Sequence, residues 1–190
     1  ERFIRSYNAD LADQLGNLLN RVVSMVGRYY GGVVPTPGDR AEGDERLIGV
    51  AQALPERISK TISRYDPQSA LAAIWELVSA ANSYVESTAP WSLAKERKAE
   101  QADGADGPAE QRLATVLYNL VEALRLIAWH VRPFLPATAD GIDAQLGLKE
   151  VEGPVEAAVW GAYPAGTRLA AGTVLFPKFE LPEAPAVQES

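Results

Sequence analysis

The chain has 190 residues, 47% apolar and 23% charged, the composition of one globular domain with a core large enough to fold without staples. With no Cys and one His it has no disulfide framework, no zinc knuckle and no thiol nucleophile, and the reducing cytoplasm is its natural compartment. No apolar run approaches the roughly 20 residues of a membrane span, no leader opens the chain, and a net charge of −7 argues at first sight against RNA, because Lys and Arg on phosphates carry most non-specific affinity.

Residues 2 to 30 carry Ile4, Tyr7, Leu11, Leu15, Leu18, Val22, Met25 and Tyr29 at steps of three and four, which predicts one long, unbroken amphipathic helix. It opens at Glu1 without a cap or an initiator Met, as a chain cut from something longer would, and Gly31-Gly32 ends it. Asn17 and Arg21 share a face there, with Asp10, Ser24 and Arg28 nearby. An amide beside a guanidinium can match the edge of a cytosine or an adenine bidentately; a plain solvated polar face is the alternative.

Asp44 is expected to cap a second helix with the stripe Leu47, Val50, Leu54, Ile58, Ile62 and Tyr65, kinked or broken at Pro55. Arg57, Lys60 and Arg64 on its other side form a solvated face or a contact to an RNA stem. Asp66-Pro67 starts a third helix through Leu71, Ile74, Val78, Ala81 and Val85, and Pro90 ends or kinks it. The residue delivered at that break is Trp91, which either caps the core or stacks on a nucleobase, an interaction worth roughly 1–3 kcal/mol per base. Lys95, Arg97 and Lys98 follow and suit either the phosphates of a loop or a solvated helix end.

Residues 99–108 have the composition of a mobile surface loop. From Pro108 to Phe134 the apolar surface is wide enough for a central helix, and its His130 reads as a packed or helix-end residue, since no second imidazole or thiol exists to share a metal. Pro133 and Pro136 end it, Ala137 to Leu146 form a short helix, and Gly147 closes that. Beyond, the chain reads as short extended pieces and turns, with the last ten residues frayed. The fold expected is all-α: an antiparallel bundle of four to five main helices over 1–147 and an irregular tail over 148–190.

Four stretches carry a resemblance in order along the chain: Tyr7-Asn8-Ala9-Asp10-Leu11 with Gly16-Asn17-Leu18 and Arg21; Asn82-x-Tyr84 with Ala89-Pro90-Trp91-x-Leu93-x-Lys95; Arg132-Pro133-Phe134-Leu135-Pro136 with Leu146-Gly147; and Leu175-Phe176-Pro177-Lys178. Together they resemble the anticodon-binding domain of methionyl-tRNA synthetases; the Asn-Ala-Asp-Leu and Pro-x-x-Pro pieces also resemble the isoleucyl, valyl and leucyl relatives. The resemblance implies that Asn17 and Arg21 are the base-reading pair for the CAU anticodon and that Trp91 stacks on the loop. It implies that the tail returns along the bundle toward the catalytic domain. The implied partners are the anticodon stem-loop of methionine tRNA and that catalytic domain, with no membrane. The charge objection weakens on inspection, because residues 1–66 hold 9 basic and 9 acidic side chains while the remainder holds 9 and 16.

No Gly-rich phosphate loop, triad order or metal spacing occurs, and the family's nucleotide-binding His-Ile-Gly-His and Lys-Met-Ser-Lys phrases do not occur in these residues. Binding is then the chain's own work. No cofactor belongs to it; ATP and any metal go with the catalytic domain, and the chain alone should be inactive. The alternative is a helical interaction or scaffold module of the same ancestry that no longer reads tRNA, which the joint presence of Asn17, Arg21 and Trp91 disfavours.

Overall fold

The computed structural model describes residues 2–102, 107–148 and 158–179. The helices are α1 (Arg2–Ser6), a π-helical stretch (Tyr7–Gly16), α2 (Asn17–Tyr30), a single 3-10 turn (Glu42–Asp44), α3 (Glu45–Ile62), α4 (Pro67–Thr88), α5 (Pro90–Ala102), α6 (Pro108–Val131) and α7 (Pro136–Gln145). The all-α bundle expected from the apolar stripes is the fold the chain adopts. No strand forms among the described residues beyond an isolated bridge between Val33 and Arg168, and none of their helices is long and apolar enough to cross a membrane.

α6 is the axis. Every residue from Leu113 to Ala128 is buried, because α3, α4, α5, α7 and α2 all pack on it. Burying it all round forces Glu122 and Arg125 inside, where they answer each other: Arg125 Nε donates to Glu122 Oε2 at 2.7 Å and Nη2 to Oε1 at 2.8 Å. The backbone N–H groups of Gly161 and Ala162 donate to the same Glu122 carboxylate, so the pair also anchors the tail.

Several local expectations are corrected. The first helical run is continuous, but ten of its residues form i→i+5 bonds, which turns Asp10 away from the Asn17–Arg21 face to border an apolar groove with Leu11, Leu71 and Trp75. Pro55 lies inside one helix and does not divide it; Leu47, Ile48, Ala51 and Leu54 are buried, and packing on α4 outweighs one lost hydrogen bond. The 99–108 stretch is helical through Ala102, and residues 103–106 lie outside the described residues, as does the frayed end expected after 180. α7 begins at Pro136, and the Gly31 and Gly147 ends both use positive φ, +59° and +68°. His130 sits half-buried at the end of α6, and burial, helped by the Arg125 charge, pushes its pKa down to about 4.

The largest correction concerns Asp44, which makes no side-chain cap to α3. Its side chain is 0% exposed and accepts from the Ala41 N–H at 2.9 Å, from the Tyr84 hydroxyl at 2.6 Å and from both terminal nitrogens of Arg112 at 2.9 and 2.8 Å. Asn119 in turn donates to the Tyr84 oxygen at 3.1 Å. Four donors around one carboxylate are worth more in the interior than a single cap at its edge. Burial alone would raise the Asp44 carboxyl, but these hydrogen bonds, led by Arg112, hold it below the usual carboxylate range.

The break between α4 and α5 is a single residue. Ala89 adopts φ 42°, ψ 65°, the left-handed region, so α4 stops and Pro90 opens α5 at its first position, where its missing N–H costs nothing. Asp66 caps the other end of α4 as expected, accepting from the Ser69 N–H at 3.0 Å.

Two outcomes follow for stability. Asp44→Ala leaves Arg112 and Tyr84 without their acceptor and should cost about 3 kcal/mol in urea unfolding at neutral pH. Because the folded-state pKa of Asp44 is depressed, its stabilisation is complete above the ordinary carboxylate value and is lost as pH falls through the lower folded value. The wild-type chain should therefore lose stability more steeply than Asp44→Asn below about pH 4. Ala89→Gly relieves left-handed strain at the cost of chain entropy and should change stability by no more than about 1 kcal/mol, whereas Ala89→Val should lose about 2 kcal/mol. A Gly variant much less stable than wild type would show that the bend stores no strain.

Candidate nucleic-acid interface

The polar face of α2 is set by the opposite face: Leu18, Leu19, Val22, Val23 and Val26 are buried, which leaves Asn17, Asn20, Arg21, Ser24 and Arg28 on the outer side. Asn17 and Arg21 lie one turn apart on that ridge. Trp91, carried past the Ala89 bend, remains 45% exposed, so it does not cap the core. The Arg21 guanidinium lies over its ring with 5.9 Å between Cζ and the ring centroid. Two positions separated by 70 residues in sequence thus form one surface.

The geometry adds Glu86, which spacing alone does not single out. Its carboxylate receives Arg21 Nη2 at 2.7 Å across the α2–α4 seam. The pair is open to water, so it adds little to stability, but it fixes where the guanidinium points. Arg21 retains further donors. Asn17 makes one long contact, from Nδ2 to the Asp13 carboxylate at 3.4 Å, and Asp13 itself is held by Lys178 at 2.5 Å. The patch therefore offers an aromatic plane, an amide, a guanidinium and one carboxylate acceptor, the set needed to stack a base and read its edge.

The three cations after Trp91 separate. Lys95 and Lys98 are exposed on α5. Arg97 is half-buried and committed elsewhere: it donates to the Tyr29 carbonyl at 3.2 Å, pairs with Glu110 at 3.3 Å and lies 5.1 Å from the centroid of the Tyr30 ring. It joins α5 to α2 and α6 and does not face solvent with its neighbours. On α3, Arg57 pairs with Glu76 and Lys60 with Glu56, and Arg64, in the turn after it, is exposed.

Other residues of the motif stretches build the frame around this patch. Asn82 Nδ2 donates to the Gln14 carbonyl at 3.3 Å, joining α4 to the π-helical stretch. Asn8 exchanges two hydrogen bonds with the Phe179 backbone, at 2.9 and 3.1 Å, while Tyr7 packs on the Phe176 and Phe179 rings. Gly16 lets Phe176 in, since a Cβ there would stand 3.3 Å from that ring. No group of three or more His, Cys, Asp or Glu among the described residues is arranged to hold a metal ion.

Known proteins match both the sequence and the fold. A family described as the anticodon binding domain of methionyl tRNA ligase matches residues 34–189. The methionine–tRNA ligase of Caldanaerobacter subterraneus is 41% identical over 181 residues, covering 95% of this chain and 27% of that protein. That of Clostridium acetobutylicum is 39% identical over 181 residues, covering 95% and 26%. The crystal structure of apo methionyl-tRNA synthetase from Mycobacterium tuberculosis superposes with a TM-score of 0.83 at 32% identity, over 94% of this chain and 34% of that one. The chain spans about a quarter to a third of the length of these relatives. With a family match that covers most of the sequence, the chain belongs to the anticodon-binding domains of methionyl-tRNA ligases.

Proposed function

We propose that the chain recognises the CAU anticodon of methionine tRNA on the α2–α5 face, with Trp91 stacking on an anticodon base and Asn17 and Arg21 reading base edges. The observation that carries this reading is the Arg21 guanidinium held over an exposed Trp91 ring, with Asn17 one turn along the same ridge. Stacking on an indole is sequence-tolerant, so the edge contacts must supply the choice of base. Lys95 and Lys98, exposed one and two turns after Trp91, suit phosphates of the same loop. Arg97, with its ion pair and carbonyl contact, serves the fold instead.

In this reading the chain serves a longer, cytoplasmic ligase whose catalytic domain binds ATP and joins methionine to the tRNA. The chain itself contributes affinity and discrimination and no covalent step. Those contributions are realised only with tRNA bound, so activation of methionine should not depend on them.

The test is titration of the chain with an RNA stem-loop carrying the CAU anticodon, paired with aminoacylation by the longer protein. Trp91→Ala should cost roughly 1–3 kcal/mol in recognition and leave tRNA-independent methionine activation intact, with Trp91→Phe milder. Asn17→Ala and Arg21→Ala should each relax discrimination against altered anticodons by about 1–3 kcal/mol rather than weaken all tRNAs equally. Normal charging by Trp91→Ala, or a joint loss of activation and thermal stability, would return Trp91 to a structural role and favour a scaffold that reads no RNA.

A further inference from the structure

The polar ridge of α2 has a second wall. Residues 168–172 of the tail run beside the helix and leave a groove of about 450 Å³. Asn20 and Ser24 of the ridge line one side of it, and Gly27 and Gly31 keep it open: a Cβ at either would meet nothing within 4 Å. Arg168 closes the far end, where its Nη1 donates to the Gly31 carbonyl at 2.9 Å.

Charge sets this groove apart. The other two principal grooves of the described surface carry acids, Asp39 and Glu110 in one and Asp10 in the other, but no acidic side chain lines this one. Arg168 is the charged side chain of the groove's lining, and Arg28 is exposed on α2 one turn before Gly31. Arg28 has only the Tyr29 ring beside it, at 5.8 Å, and neither arginine forms an ion pair with a described residue. Arg21, Arg57, Arg97, Arg112, Arg125 and Arg132 are paired with acids, whereas Arg2, Arg40, Arg46 and Arg64 share with these two the lack of an ion pair to a described residue. The negative end of the α2 dipole attracts both groups, but its roughly half charge offsets only part of two full ones.

We propose that this groove binds the sugar–phosphate backbone of the loop nucleotides that flank the anticodon, with Arg28 and Arg168 on the phosphates and Asn20 and Ser24 within reach of ribose hydroxyls. The proposal rests on the anticodon-loop reading above and extends it along the helix. Arg21 and Gly31 are ten residues apart, about 15 Å of helix rise, a span that two to three extended nucleotides cover. A base on Trp91 then leaves its neighbours over the ridge, with their backbone directed into the groove.

The test is equilibrium titration of the chain, at several salt concentrations, with an RNA stem-loop carrying the CAU anticodon and with the same stem-loop carrying a swapped one. Arg28→Gln and Arg168→Gln should each weaken both RNAs by about 3- to 10-fold to the same extent, and each should lower the slope of log affinity against log salt by about 0.7. Arg168→Lys should retain most of the slope. Arg28 makes no hydrogen bond that the fold needs, so its variant separates binding from folding even if Arg168→Gln loosens the tail. Trp91→Ala is titrated alongside. If it weakens the CAU stem-loop while both glutamine variants keep wild-type affinity and slope, the groove proposal is overturned and the anticodon reading stands. A loss confined to one anticodon in the arginine variants overturns it too, because backbone contacts carry no sequence information. If neither Trp91→Ala nor the arginine variants alter binding, the anticodon reading itself has failed.

Discussion

The bundle depends on one buried carboxylate. Asp44 gathers donors from the loop before α3, from α4 and from α6, and no water reaches it. A single charged acceptor with four partners is a demanding arrangement: each donor must arrive at one point, so satisfying it fixes the relative height of three helices at once. Tyr84 is the member that matters for the surface. Its ring is buried and its hydroxyl is held at 2.6 Å, and its carbonyl accepts from Ser87 and Thr88, the last side chains before the Ala89 bend. The turn that delivers Trp91 is therefore braced from the core by a hydrogen-bond chain that ends on Arg112. A stacking platform gains affinity by being pre-set, since a side chain already immobilised loses less entropy when a base lands on it.

The tail provides the second constraint, and it acts lengthwise. Residue 168 meets the C-terminal end of α2 at Gly31, Gly172 lies against Asn20 and Val23, Phe176 fills the space beside Gly16, and Phe179 pairs with Asn8. The described tail thus runs antiparallel to the first helical run along most of its length. It has almost no regular structure of its own because its backbone groups are satisfied by the bundle: the Thr167 carbonyl accepts from the Val34 N–H, the Leu169 N–H donates to the Gly32 carbonyl, the Gly161 and Ala162 N–H groups reach Glu122, and the Tyr163 carbonyl accepts from the Tyr118 hydroxyl. Lys178 holds Asp13, which otherwise would pull harder on Asn17. A strap of this kind lets a helix keep one polar face uncovered without losing its grip on the core.

Much of this was legible in the residues themselves. The apolar stripes locate the first helical run, α3, α4 and α6, because burial on the bundle demands a 3.6-residue period whatever the partners are. Asp66-Pro67 and Gly31-Gly32 mark ends through chemistry confined to one turn, whereas α5, which carries no stripe, is not marked as a helix of its own. What failed to show were features decided by distant partners. Asp44 reads as a cap because its neighbours in sequence fit that role, yet Arg112 and Tyr84, far along the chain, outbid the local backbone. The π-helical stretch is invisible to an apolar period that tolerates small changes of twist, and it is what carries Asp10 off the polar face. At the site, Trp91 and Arg21 could be singled out by residue type and by a resemblance, but Glu86 could not: an exposed Glu on a helix is ordinary until another element places an arginine on it. Arg97 misleads for the mirror reason, since its commitment to Glu110 and Tyr29 is not written in a run of cations.

Net charge misleads in the same way, and the structure explains why. A chain carrying −7 seems a poor partner for a polyanion, but phosphate feels the potential within about a Debye length, some 10 Å at 0.1 M salt, not the sum over the molecule. From Asn17 to Tyr30 the helix carries Arg21 and Arg28 and no acid, and from Pro90 to Ala102 three cations face two acids. The ion pairs of Asp44 with Arg112, Glu122 with Arg125, and Asp140 and Asp143 with Arg132 nearly cancel within that total, so the excess acids lie elsewhere on the chain. On the α2 ridge Arg21 is paired with Glu86 and Arg28 has no ion pair with a described residue, which leaves the ridge weakly positive on a chain that is acidic in total. Under the proposed function, a splayed loop that touches only this ridge would be favoured over long duplex, which must also approach the excess acids of the chain. In that reading the acidity would penalise nucleic acids that bind by charge alone and leave stacking and base edges to decide among the rest.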